Sequence, residues 1–128
     1  MPAKTPEDIC RLFQHAMAMG DLDAVLEVYD PDIVFLNQAG RAVRGREGLR
    51  KELSPLATKK ARFEFTIKQV VEAGDIALMH THWTVSGPPP MKTYAIEIAR
   101  RQSDGTWRWL IGDPFTVGKQ LASYHQEE

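Results

Sequence analysis

The chain predicts an α+β fold: three helices placed early, then a strongly curved, mostly antiparallel sheet. Three observations carry that prediction. Apolar residues recur at helical spacing near the start, the period drops to two after Arg62, and the later strand-like runs are joined by short turns. The 128 residues, 43% of them apolar, suffice for a single domain with a real core, spanning 1–128 with a core of about 6–115 and a polar tail over 116–128.

The first helix opens at Thr5, a suitable cap, with Pro6 in the first turn and Glu7 and Asp8 at the positive end of the dipole. Ile9, Leu12, Phe13 and Ala16 form its apolar stripe, and Gly20 stops it. Asp21 caps a second helix carrying Leu22, Val25, Leu26 and Tyr29, which Pro31 ends. Ile33 to Leu36 reads as a short buried strand, Gln38-Ala39-Gly40 as a turn, and Ala42-Val43 as a brief extended piece. Gly45 opens a third helix holding Leu49 and Leu53, closed before Pro55. Four longer strands follow: Arg62 to Ala73, Ile76 to Ser86, Met91 to Arg101 and Trp107 to Ile111, with turns at Gly74-Asp75 and Ser103-Asp104-Gly105 and a loop at Gly87-Pro88-Pro89-Pro90.

A net charge of −1 argues against a protein built around nucleic-acid phosphates. The single cysteine, Cys10, excludes an intrachain disulfide and suits a reducing, cytoplasmic setting. No run approaches the ~18 apolar residues of a membrane span, so neither a nucleic acid nor a membrane is expected as partner. Residues 41 to 62 carry eight basic against two acidic side chains, which reads as a solvated face because no nucleic-acid motif accompanies them.

Gly20-Asp21-Leu22-Asp23, the helix start Gly45-Arg46-Glu47-Gly48-Leu49, and Ala95 to Arg101 followed by Asp104-Gly105-Thr106-Trp107-Arg108 stand in a familiar order. With them the chain resembles the nuclear transport factor 2-like superfamily, in its SnoaL-like and ketosteroid-isomerase-like branch. The resemblance implies a cystatin-like cone, a bent sheet wrapped around the first helix with an apolar pocket inside, and a homodimer through the outer sheet face. Members include isomerases, cyclases and dehydratases together with binding domains that have no chemistry, so the fold alone does not decide the function.

In ketosteroid isomerases a tyrosine on the first helix, an aspartate base after the first strand and a protonated aspartate on a late strand do the work. Counted from the shared motifs, Phe13, Asn37 and Glu97 stand at those positions. Phe13 donates no hydrogen bond and Asn37 accepts no proton near neutral pH, so the parent mechanism is not expected.

Leu78-Met79-His80-Thr81-His82 offers a replacement. On a strand His80 and His82 share a face, and matched against the family that face lines the pocket, as does Glu97 on the next strand. The expected site is therefore His80, His82 and Glu97 as acid–base groups in an apolar cavity walled by Phe13, Leu36, Asn37, Leu78 and Leu110. It would serve an isomerase or lyase acting on a small hydrophobic carbonyl compound without a cofactor. The alternatives are a non-catalytic ligand-binding or protein-interaction domain, and a metal site built from His-x-His plus the carboxylate. Alternation sets Trp83 opposite His82, on the outer face with Met79 and Val85, as interface material.

Overall fold

The computed structural model of the chain describes residues 2–87 and 89–127. Helix α1, Pro6–Met19, begins with a capping box: the Thr5 side chain accepts from the Asp8 N–H and the Asp8 carboxylate accepts from the Thr5 N–H. It ends at Gly20, whose φ of 70° is the left-handed turn that glycine adopts freely. Ile9, Cys10, Phe13, Ala16 and Met17 form its buried face. Asp21 caps α2, Leu22–Glu27, through the Ala24 N–H.

Tyr29 does not close this second helix as its spacing suggested; it opens strand β1, Tyr29–Leu36. Pro31 lies within β1, where the register against its neighbour shifts between Tyr29 and Val34, so its missing N–H interrupts no regular ladder. After β2, Ala42–Arg44, helix α3 spans Gly45–Thr58 and runs through Pro55 instead of closing before it. Burial of Leu49, Leu53 and Ala57 along one face holds α3 together across the hydrogen bond that proline cannot make.

The four long strands are β3, Phe63–Ala73; β4, Ile76–Val85; β5, Met91–Arg101; and β6, Trp107–Asp113. They form one curved sheet in the order β2-β1-β6-β5-β4-β3, antiparallel except where β1 runs parallel to β6. The polar C-terminal stretch is not a loose tail: Thr116–Glu127 forms helix α4, which packs along β5. Lys119 Nζ ties it to the Gln38 carbonyl, and Gly118 lies beside the Tyr94 ring.

Alternation along the strands divides the sheet cleanly. Ala77, Met79, Thr81, Trp83 and Val85 of β4, with Thr93, Ala95, Glu97 and Ala99 of β5, are buried on the face that α1 packs into. This inner face and the buried sides of α1, α2 and α3 make the core. No helix among the described residues is long and apolar enough to cross a membrane.

Candidate functional site

Between α1, α3 and the inner face of the sheet lies a cavity of about 280 Å³. It is hollow because the strands that floor it present small side chains: Thr93 and Ala95 on β5, and Gly112 on β6. A Cβ added at Gly112 would come to 3.3 Å from the Phe35 ring, so glycine here preserves both the space and the packing of that wall. The walls are aromatic. Phe13 stands at their centre, with ring centroids 5.0 Å from Phe63, 5.3 Å from Trp83 and 5.6 Å from Trp109, in edge-on or tilted contacts. Tyr29, Phe35 and Phe115 add to the lining, and Gln38 and Glu52 bring polar groups to it from the loop after β1 and from α3.

Glu97 is the carboxyl group buried in this cavity. It sits on β5 between Ala95 and Ala99, faces Met79 of β4 on one side and Gly112 of β6 on the other, and is 7% exposed. Its Oε1 has no hydrogen-bond partner, nor do the buried Thr81 Oγ1 and Trp109 Nε1. Burial drives the Glu97 pKa up to about 8, and the nearby Thr81 hydroxyl draws it back only in part. Glu97 is therefore largely protonated at neutral pH. Tyr29 and Cys10 are close enough to feel its charge, and burial followed by that charge pushes the phenol and the thiol upward as well. Cys10 is thus an inert buried thiol, and Tyr29 keeps its proton.

The expected triad does not converge. Glu97 is inside, but His80 and His82 lie on the opposite, outer face of the sheet with Leu78. His80 Nδ1 is 3.2 Å from Gln69 Oε1, and the His82 ring stands edge-on to Tyr94 at 4.8 Å. The cause is strand periodicity, since a one-residue slip in assigning a face inverts every side chain. Cross-strand pairing makes the outcome unambiguous: residues directly opposite share a face, and Glu97 pairs with Met79 while His80 pairs with Ile96. Trp83, Met79 and Val85 accordingly face the core, not an interface.

Of the expected wall residues, Phe13 lines the cavity. Leu36 and Leu110 do not, because Phe35 and Trp109, their strand neighbours, take the inward positions. Asn37 sits just past the end of β1, where its amide donates to Glu52 Oε1 at 3.1 Å and its Oδ1 accepts from the Arg41 N–H; it supports a lining carboxylate instead of lining the cavity itself. The His-x-His and carboxylate grouping for a metal fails with the same inversion. Among the described residues no group of three or more His, Cys, Asp and Glu side chains could hold an ion.

Sequence reasoning missed Tyr29, Glu52, Trp83 and Trp109 as cavity residues. The signal for Trp83 lay in β4 itself, where Ala77, Met79, Trp83 and Val85 are collectively more apolar than Leu78, His80, His82 and Thr84. Part of the basic 41–62 segment is structural: Arg46 donates to the Tyr29 carbonyl at 2.9 and 2.6 Å, and Arg50 reaches Asp23 at 3.0 Å.

Residues 10–111 match the SnoaL-like domain family. Among solved structures, the chain is similar to an NTF-2 like protein of unknown function from Shewanella oneidensis MR-1, at 18% identity, covering 85% of this chain and 98% of that one with a TM-score of 0.72. It is similar also to a cystatin-like-fold domain of unknown function from Nostoc punctiforme PCC 73102, at 14% identity over 92% and 80% of the two chains and a TM-score of 0.71. A third is a ketosteroid isomerase-like protein from Erwinia carotovora atroseptica SCRI1043, at 20% identity over 84% and 89% and a TM-score of 0.64. At these identities the likeness is one of fold. Comparison with curated proteins finds no match.

Proposed function

The chain belongs to the SnoaL-like domain family, and from that premise we propose that it binds a small, largely apolar molecule in the cavity with the molecule's polar group set against Glu97. One observation carries the reading: a buried carboxyl group, its Oε1 without a hydrogen-bond partner, at the wall of a mostly apolar hollow. An unpaired buried polar group costs folding free energy of about 1–3 kcal/mol, and a site that receives a ligand gives that cost a purpose.

The test is occupancy. N-phenyl-1-naphthylamine, a neutral apolar fluorophore, is expected to bind at one site per chain and brighten on entry. Ala95→Phe, which fills the hollow, should abolish that signal while the far-ultraviolet circular dichroism stays native. Unchanged binding by the filled variant would overturn the reading.

A second reading is an isomerase, dehydratase or cyclase acting on a hydrophobic carbonyl compound. It is favoured by two groups that keep their protons at neutral pH, Glu97 and Tyr29, both lining one cavity. The imidazoles expected to share in this chemistry face away, so Glu97 would act without them. Exchange of the α-protons of 2-tetralone in D2O, followed by NMR, tests it; a rate that Glu97→Gln leaves unaltered would remove Glu97 from any turnover.

We propose too that the outer sheet face joins two copies of the chain, in a cytoplasmic setting suited to the single thiol of Cys10. Val34, Ile111, Ile98, Leu78 and Val71 lie opposite one another across five strands, and Ile111 and Val71 are among the exposed large apolar residues. Light scattering at micromolar concentration should give a dimer, and Ile98→Lys a monomer; a wild-type monomer would refute it.

A further inference from the structure

Resting on the binding reading above, we infer that the cavity's natural occupant carries a positive charge: a small organic ammonium ion on an apolar frame, held by Glu97 and the surrounding aromatic rings. Three features of the lining lead there. First, its charged side chains are both carboxylic acids, Glu97 inside and Glu52 at the side held by Asn37. Among the described residues no Lys, Arg or His lines the cavity, so an anionic ligand would find no cationic partner there. Second, Phe13, Tyr29, Phe63, Trp83 and Trp109 line the space, and aromatic rings attract a cation, the more so where water is excluded. Third, Glu97 Oε1 is buried with no hydrogen-bond partner among the described residues, although the Thr81 hydroxyl lies near the carboxyl. An ammonium N–H, or the positive rim of a quaternary ammonium, supplies the missing partner.

This assignment makes a distinctive prediction about protons. The groups facing Glu97 are Cys10 from α1, Tyr29 from β1 and Thr81 from β4, and burial keeps both the thiol and the phenol protonated well past neutrality. Glu97 is thus the deep group that ionises in the accessible range. A cation binds the ionised form, so its affinity must rise with pH; a carbonyl oxygen accepts a hydrogen bond from the protonated form, so its affinity must fall. The unpaired indole N–H of Trp109 is the feature that suits an acceptor instead, and this opposition of signs tests the two directly.

Three probes of similar size decide it, read through the fluorescence of Trp83 and Trp109 on the full chain: benzyltrimethylammonium, its neutral carbon isostere neopentylbenzene, and 2-tetralone. The cation should bind at least ~10-fold tighter than the isostere at pH 8, and about 50-fold tighter at pH 8 than at pH 6, as follows for a ligand that requires a group of pKa about 8 to be ionised. Glu97→Gln should flatten that pH dependence and reduce the preference for the cation over the isostere. Should that variant not fold, the wild-type pH profile still decides. Equal binding of cation and isostere, or 2-tetralone binding that weakens above pH 8 without binding of the cation, overturns the assignment and leaves the binding pocket standing. Failure of all three probes, together with failure of N-phenyl-1-naphthylamine, overturns both.

Discussion

Asp30 and Glu97 are both buried acids, on strands of the same sheet, and they have opposite fates. Asp30, 1% exposed, receives Arg100 at 3.0 and 2.8 Å, the Gln102 amide at 2.8 Å and the Asp32 N–H at 2.8 Å. Burial alone would push its pKa up, but the Arg100 hydrogen bonds, then those of the Asp32 backbone and Gln102, outweigh it and the pKa falls. Glu97, 7% exposed, has no such set and its pKa rises to about 8. An acid whose acceptor sites are all used is part of the scaffold. One left unpaired beside a hollow is available to something else, and that contrast, more than burial itself, marks the site.

The comparison can be broken most severely at the scaffold acid. Asp30→Ala leaves Arg100 with Asp32 alone and Gln102 with only the Arg100 carbonyl, and a loss of about 2–3 kcal/mol is expected, below that of a fully broken buried pair because Arg100 keeps Asp32 and some contact with water. Chemical denaturation of the two proteins measures it; a loss below ~0.5 kcal/mol would put Asp30 and Glu97 in one class.

Glu97→Gln should instead stabilise the empty protein at pH 8, since the amide needs no proton and cannot ionise. The sign follows from linkage. Glu97 holds a proton in the folded state up to about pH 8 but releases it near 4.5 when unfolded, so wild-type stability falls as pH rises between those values and the variant's gain vanishes at pH 4. Asp30 acts the other way: its contribution is present above the ordinary carboxylate range and is lost as pH falls through its lowered folded-state value. Thermal melts across pH 3–9 should therefore show Asp30→Asn flattening the acid limb and Glu97→Gln the alkaline limb.

The smallest effects belong to the outer face. His80→Ala and His82→Ala should each change stability by less than ~0.5 kcal/mol and leave probe binding in the cavity intact. A tenfold loss of binding in either variant would show that the outer face communicates with the hollow.

Much of the architecture was legible beforehand. The capping box at Thr5, the turn at Gly20 and the switch to period two after Arg62 are local signals, and α1, β3, β4 and β5 lie where those signals put them. Local signals failed where distant contacts overrule them. Tyr29 joined a strand because β6 lies beside it, α3 passed Pro55 because its apolar face is buried, and the polar C-terminal segment became a helix against β5. Within the site, Glu97 and Phe13 were found by matching motifs, whereas Glu52 and Trp109 reach the cavity from segments that no motif joins to it.

What the amino-acid order determined by itself is the succession of elements up to β6, the family, and the fact that His80, His82 and Leu78 share one face of β4 while Met79, Thr81 and Trp83 share the other. What only the tertiary structure decided is which of those faces looks inward. Alternation with period two is indifferent to a shift of one residue; packing against α1 and the pairing of Met79 with Glu97 remove that symmetry, and with it the imidazoles from the cavity.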